Sequence, residues 1–192
     1  MGAQYDMVQD ENEWAVKMDS GILFTAEDDD RIIHFFRKYD KYMDHQMVAA
    51  GFFRSSKDSV NTFIFERVKQ ELSSINKEGM RSFVSIMWTA GEYNIQDDEF
   101  WGIVEEQLID NKLHRYLDVH QASNVIYSLG KVARGSDELI DTIENYIIKH
   151  RRALTEQDVE RARSGFSSLG KGGDVLMEAL GAPAPDLPRL DQ

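Results

Sequence analysis

The sequence predicts an all-α fold, an α-solenoid of about four helix-turn-helix repeats with a period of about 40 residues. Three observations predict it. Prolines are confined to Pro183, Pro185 and Pro188, so nothing before the last ten residues interrupts a helix. Glycines recur at Gly51, Gly91, Gly130 and Gly170, with separations of 40, 39 and 40 residues. Around each glycine the same offsets are apolar.

One residue before the glycines stand Ala50, Ala90, Leu129 and Leu169. Four before stand Met47, Met87, Ile126 and Phe166, and eight before stand Met43, Phe83, Ala122 and Ala162. These offsets fall on one face of a helix, and a glycine at its end suits the left-handed turn that closes helices. A second helix follows in each unit. Offsets of nine, thirteen and seventeen after the glycine give Val60, Ile64 and Val68, then Phe100, Val104 and Leu108, then Leu139, Ile143 and Ile147. The fourth copy keeps the pattern only with a loop about three residues shorter, which brings in Leu176 and Leu180. Asp58, Asp97 and Asp137 supply polar residues near the start of the second helices, and Thr25 with Asp28 and Thr155 with Asp158 read as N-cap pairs. Helix starts are thus expected near residues 26 and 156.

Three regions follow. Residues 1–24 form an acidic, irregular N-terminal arm, residues 25–180 the helical-repeat domain, and residues 181–192 an extended Pro-containing tail. One hairpin cannot bury both its faces, so neighbours must stack and leave extended faces for binding.

Composition excludes several classes of function. No apolar run reaches the ~18 to 20 residues needed to cross a bilayer, so no membrane insertion is expected. The chain has no cysteine, which removes disulfides, thiolate metal sites and thiol nucleophiles. The formal charge of -12 is concentrated at one end: residues 1–30 hold nine acids against Lys17 alone. From Asn111 to Lys171 ten Lys and Arg face eight Asp and Glu. Lys149, Arg151, Arg152, Arg161 and Arg163 lie in that stretch and are candidate partner-binding residues, for an acidic protein or for RNA. The arm adds Tyr5 and Trp14 as candidate anchors, while Ile22, Leu23 and Phe24 would cover the open end of the stack.

The segment from Val119 to Gly130, echoed by Met80 to Gly91 and by Val159 to Gly170, resembles the first helix of octotricopeptide repeats. A related array occurs in the Fas-activated serine/threonine kinase family. The resemblance spans about residues 31–180 and rests on small, apolar and aromatic residues closing on Leu-Gly. It implies an organellar protein, often one that binds RNA or sits in a mitochondrial or plastid assembly. A mitochondrial matrix location follows if a presequence is removed, and a cytoplasmic one otherwise. The chain departs from the family in lacking a terminal RAP-type domain and in being acidic.

Motifs of chemistry are weak. The run from Gly165 to Gly172 copies the start of a phosphate-binding loop, but Gly172 stands where a magnesium-ligating Ser or Thr belongs, and a helix precedes it. None of His34, His45, His114, His120 and His150 forms the i, i+4 pair of a helical zinc site, so each is expected to be solvated or hydrogen-bonded. Acids at positions 27–30 suit the first turn of a helix. Trp88 and Trp101 are expected to border the core. No catalytic residue, cofactor or metal is therefore expected. The sequence reads as a non-catalytic scaffold that binds other protein subunits, with a single-stranded RNA binder as the alternative.

Overall fold

The computed structural model describes residue 21 and residues 29–55 and 62–181. Among them the chain is all-helical, with no strand. It divides into two compact units at Thr89–Ala90. The expectations for Tyr5, Trp14, residues 22–24, Thr25 with Asp28, Asp58, Val60 and the prolines fall outside the described residues.

The first unit contains α1 (Asp29–Tyr39), a 3-10 turn (Asp40–Tyr42), α2 (His45–Arg54), α3 (Thr62–Ser74), a second 3-10 turn (Lys77–Gly79) and most of α4 (Met80–Glu92). Asp29 and Asp30 open α1, and Arg37 and Lys38 close it, so both ends oppose the helix dipole. Asp44 caps α2 by accepting from the Met47 amide at 2.8 Å. Ile32, Phe36, Phe52, Ile64, Leu72, Phe83 and Met87 are fully buried. Arg67 ties α3 to the first 3-10 turn, reaching Asp40 at 2.9 Å and Glu71 at 2.8 Å. In α2 the buried register departs from expectation by one position. Val48, Ala49 and Phe52 face the core, whereas Met47 and Ala50 are only half-buried. The large Phe52 side chain wins the interior, and its neighbour Phe53 is left 53% exposed.

The second unit continues with α5 (Asp98–Glu105), which runs into a π-helical turn (Glu106–Asp110), then a 3-10 turn (Leu113–Tyr116). It ends with α6 (Val119–Val132), α7 (Asp137–His150), a 3-10 turn (Arg151–Ala153), α8 (Glu156–Ser168) and α9 (Asp174–Gly181). Side-chain caps start four of these helices: Asp97 for α5, Asp118 for α6, Ser136 for α7 and Thr155 for α8. Thr155 with Asp158 is a full capping box, as the sequence indicated, and Asp118 with Gln121 is a second. Phe100, Val104, Leu108, Ile126, Leu129, Ile143, Ile147, Phe166, Leu176 and Leu180 form the core. Leu169 is half-buried, because it lies one residue past the end of α8.

Of the four periodic glycines, Gly170 closes its helix in the expected left-handed conformation, and the other three do a different job. Gly51, Gly91 and Gly130 sit inside the last turns of α2, α4 and α6 rather than in left-handed turns. Among the positive-φ residues, the ones that follow the ends of α4, α6 and α8 are Asn94 (φ 54°), Ala133 (φ 54°) and Gly170 (φ 65°). Each follows a helix end closed by a pair of backbone bonds: Asn94 to Gly91 with Ile95 to Ala90, Ala133 to Gly130 with Arg134 to Leu129, Gly170 to Ser167 with Lys171 to Phe166. Counted from these three residues, the buried positions of the next helix fall uniformly six and ten places later, at Phe100 and Val104, Leu139 and Ile143, Leu176 and Leu180. The apparent shortening of the last loop therefore reflects where α8 ends, three residues sooner relative to its glycine.

Close approach explains two of those glycines. A β-carbon on Gly91 would stand 3.0 Å from the Ser128 α-carbon, and one on Gly130 would stand 2.6 Å from the Gly165 α-carbon. A β-carbon on Gly165 would run into the Ile126 carbonyl. The backbones of α6 and α8 thus touch where both helices lack side chains.

Candidate functional site

Helix periodicity separates the basic residues that the sequence groups together. Lys149 lies in the last turn of α7, Arg151 and Arg152 lie on the following 3-10 turn, and all three are exposed. Arg161 and Arg163 are two apart on α8, so their directions differ by about 200°. Arg163 is exposed, whereas Arg161 is half-buried and donates to the Asn124 side chain on α6 at 3.0 Å. Arg161 is therefore a tie between α6 and α8. The helical twist that brings Arg163 outward turns Arg161 inward.

Arg151 and Arg163 do share a surface. They border an open groove of about 690 Å³ along the outer face of α8, with Leu154, Val159, Ala179 and Leu180 as its apolar lining. Glu156 and Glu160 stand on the same groove, so its rim is charged in both senses. Ser164 and Ser167 continue the α8 face. Residues 156, 160, 163, 164 and 167 recur at helical spacing and present one stripe. The sequence analysis missed the glutamates and the apolar lining, although their i, i+4 spacing to Arg163 and Ser164 was legible.

A second polar constellation lies at the start of α8. Asp158 is 3% exposed, and its Oδ2 accepts from the Thr155 hydroxyl at 2.5 Å, the Thr155 amide at 2.9 Å and His120 Nδ1 at 2.6 Å. A hydroxyl, a carboxylate and an imidazole in contact invite comparison with a nucleophilic triad. Here the carboxylate stands between the other two, so the imidazole has no line to the hydroxyl proton and the order is that of a helix cap. Burial pushes the Asp158 carboxyl up, but the hydrogen bonds from Thr155 and then from His120 outweigh it and hold the group below its ordinary value of 3.8. The stabilisation from this depressed acid is fully present above about pH 3.8 and is lost as pH falls through the lower folded-state value. Asp158→Asn should flatten the acid limb of the unfolding midpoint plotted against pH, and Asp158→Ala should cost about 1 to 3 kcal/mol, because Thr155 and His120 lose their buried acceptor. Superimposable acid limbs for the wild type and Asp158→Asn would contradict this account.

The other candidate chemistry resolves into structural contacts. Lys171, the lysine of the loop-like run, bonds Asp137 at 2.8 Å, which raises its own pKa and lowers that of Asp137. His114 Nδ1 bonds the Leu108 carbonyl at 2.6 Å and so takes up an acceptor of the π-helical turn. The His150 ring packs on Tyr146, with centroids 4.5 Å apart. Trp101 is 5% exposed and donates its indole N–H to Ile95 at 2.8 Å, while Trp88 is half-buried. Among the described residues no group of His, Asp and Glu is placed to hold a metal ion, and no helix is long and apolar enough to cross a membrane. Compared with known proteins, the chain matches no family model and no curated protein.

Proposed function

We propose that this chain is a non-catalytic helical-repeat scaffold, an α-solenoid module that docks other protein chains as an accessory subunit of a larger assembly. The observation that carries this reading is the groove on α8. Its apolar lining of Leu154, Val159 and Leu180, rimmed by Arg151, Arg163, Glu156 and Glu160, offers a protein segment both burial and paired charges. A polyanion would meet two carboxylates beside the two guanidiniums, which disfavours RNA. The recurring spacing of left-handed caps and buried positions supports repeat stacking within the second unit.

Affinity purification of the full chain at physiological salt, with and without nuclease, tests the proposal. A protein companion that survives nuclease treatment is expected. Replacing Arg151 and Arg163 by Glu should weaken its retention by about tenfold, equivalent to one well-formed charged contact. A companion that leaves with nuclease, together with wild-type binding to single-stranded RNA that falls steeply with salt, would replace the scaffold by an RNA binder.

A further inference from the structure

In a chain with 34 acids and 22 bases, α2 and the part of α4 within the first unit carry no carboxylate at all. Their ionised side chains are Arg54 and Arg81, both exposed. Both border a groove of about 430 Å³ between the two helices. Neither guanidinium has a carboxylate partner among the described residues, although Arg67 of the same unit has two. Phe53, 53% exposed, forms one wall, with the Arg54 guanidinium 5.9 Å from its ring centroid. Ala49, Ala50 and Ser82 form a lining of small side chains, which lets a ligand backbone come close.

We infer that this groove docks an acidic peptide segment of a partner protein, one that sets an aliphatic or aromatic side chain against Phe53 and its carboxylates against Arg54 and Arg81. The inference rests on the scaffold reading and adds a second surface whose charge, unlike that of the mixed-charge groove on α8, is of one sign. One exposed phenylalanine would mean little, since isolated apolar side chains are common on surfaces. Here it adjoins one guanidinium and shares a groove with a second, on two helix segments that carry no acid. Arginine forks bind carboxylates in two-pronged fashion, and aromatic and arginine side chains together dominate the energy of protein interfaces. Nucleic acid fits less well. Two cations do not make a track for a phosphate backbone, and a net charge of -12 opposes a polyanion.

The test is fluorescence anisotropy with the full chain and a labelled peptide of alternating glutamate and leucine containing one phenylalanine. A lysine-for-glutamate version and a labelled oligothymidylate serve as comparisons. The acidic peptide should bind saturably, with affinity falling as salt rises, and the lysine version should not bind. Arg54→Glu with Arg81→Glu should raise Kd by at least about tenfold, and Phe53→Ser by about tenfold. All three positions are exposed, so circular dichroism should be unchanged. The Arg151 and Arg163 reversals should leave this Kd as it is. The inference fails if the wild type does not bind the acidic peptide at low salt, or if the Arg54 and Arg81 variant binds it equally well. It also fails if the oligothymidylate binds more tightly, or if the peptide binds only after residues 1–24 are deleted, which would assign the groove to the chain's own acidic arm. A nuclease-resistant companion retained equally by wild type and by the Arg54 and Arg81 variant would leave the scaffold reading standing while removing this groove from it.

Discussion

Ile126→Ala should destabilise the second unit by about 2 to 5 kcal/mol, measured by denaturant unfolding. Ile126 has no exposed surface and lies on α6, the helix whose two neighbours on this face, Ala122 and Leu129, are likewise inside. Truncation removes buried methyl and methylene groups and leaves a space that the surroundings fill poorly. The backbone of α6 cannot settle toward α8 to close it, because the two helices already touch at Gly130 and Gly165. The expected value therefore lies in the upper half of the range. A cost below about 1 kcal/mol would mean that Ile126 is not packed as described.

The core was legible because a single physical rule writes it into the chain. A helix buries one face, and Phe83, Ala122, Met87, Ile126, Ala90 and Leu129 repeat at the spacing of that face. The turns were less legible. Ala133 adopts a left-handed conformation that composition assigns to glycine, because the two backbone bonds from Ala133 and Arg134 to the end of α6 offset the steric cost. Glycine at 91 and 130 is then free for another role, and that role depends on which helices come together, a fact no local pattern contains. The same limit governs the surfaces. Arg161 and Arg163 could have been told apart from their two-residue separation alone, since side chains so placed on a helix do not share a face. Arg54 and Arg81 are single charges on different helices, and only tertiary packing shows that they border one groove. The sequence did hold a fainter signal for them, the absence of acids from residues 45–54 and 80–91 of an acidic chain.

Gly165→Ala should destabilise the protein by about 1 to 3 kcal/mol, against the sign that helix propensity gives. Gly165 lies within α8, where exchange for alanine would ordinarily stabilise by about 1 kcal/mol. The added methyl group, however, would enter the space of the Ile126 carbonyl and the Tyr127 amide nitrogen. Those atoms belong to the hydrogen-bonded backbone of α6, so they cannot rotate aside. At Gly79 the added methyl would meet a side chain, that of Ile75, rather than main chain. Relief at Gly165 requires α6 and α8 to move apart, which also loosens the contact at Gly130 and the Arg161–Asn124 bond. Gly102 supplies the control, since it sits inside α5 with nothing near its missing side chain. Gly102→Ala should raise stability by about 0.5 to 1 kcal/mol. Combining Ile126→Ala with Gly165→Ala should bring no rescue, because the obstruction is main chain and survives truncation of the isoleucine side chain. Thermal and denaturant unfolding of the single and double variants would read all of these effects. Stabilisation by Gly165→Ala, or recovery of its loss in the double variant, would show that the two helices do not meet backbone to backbone.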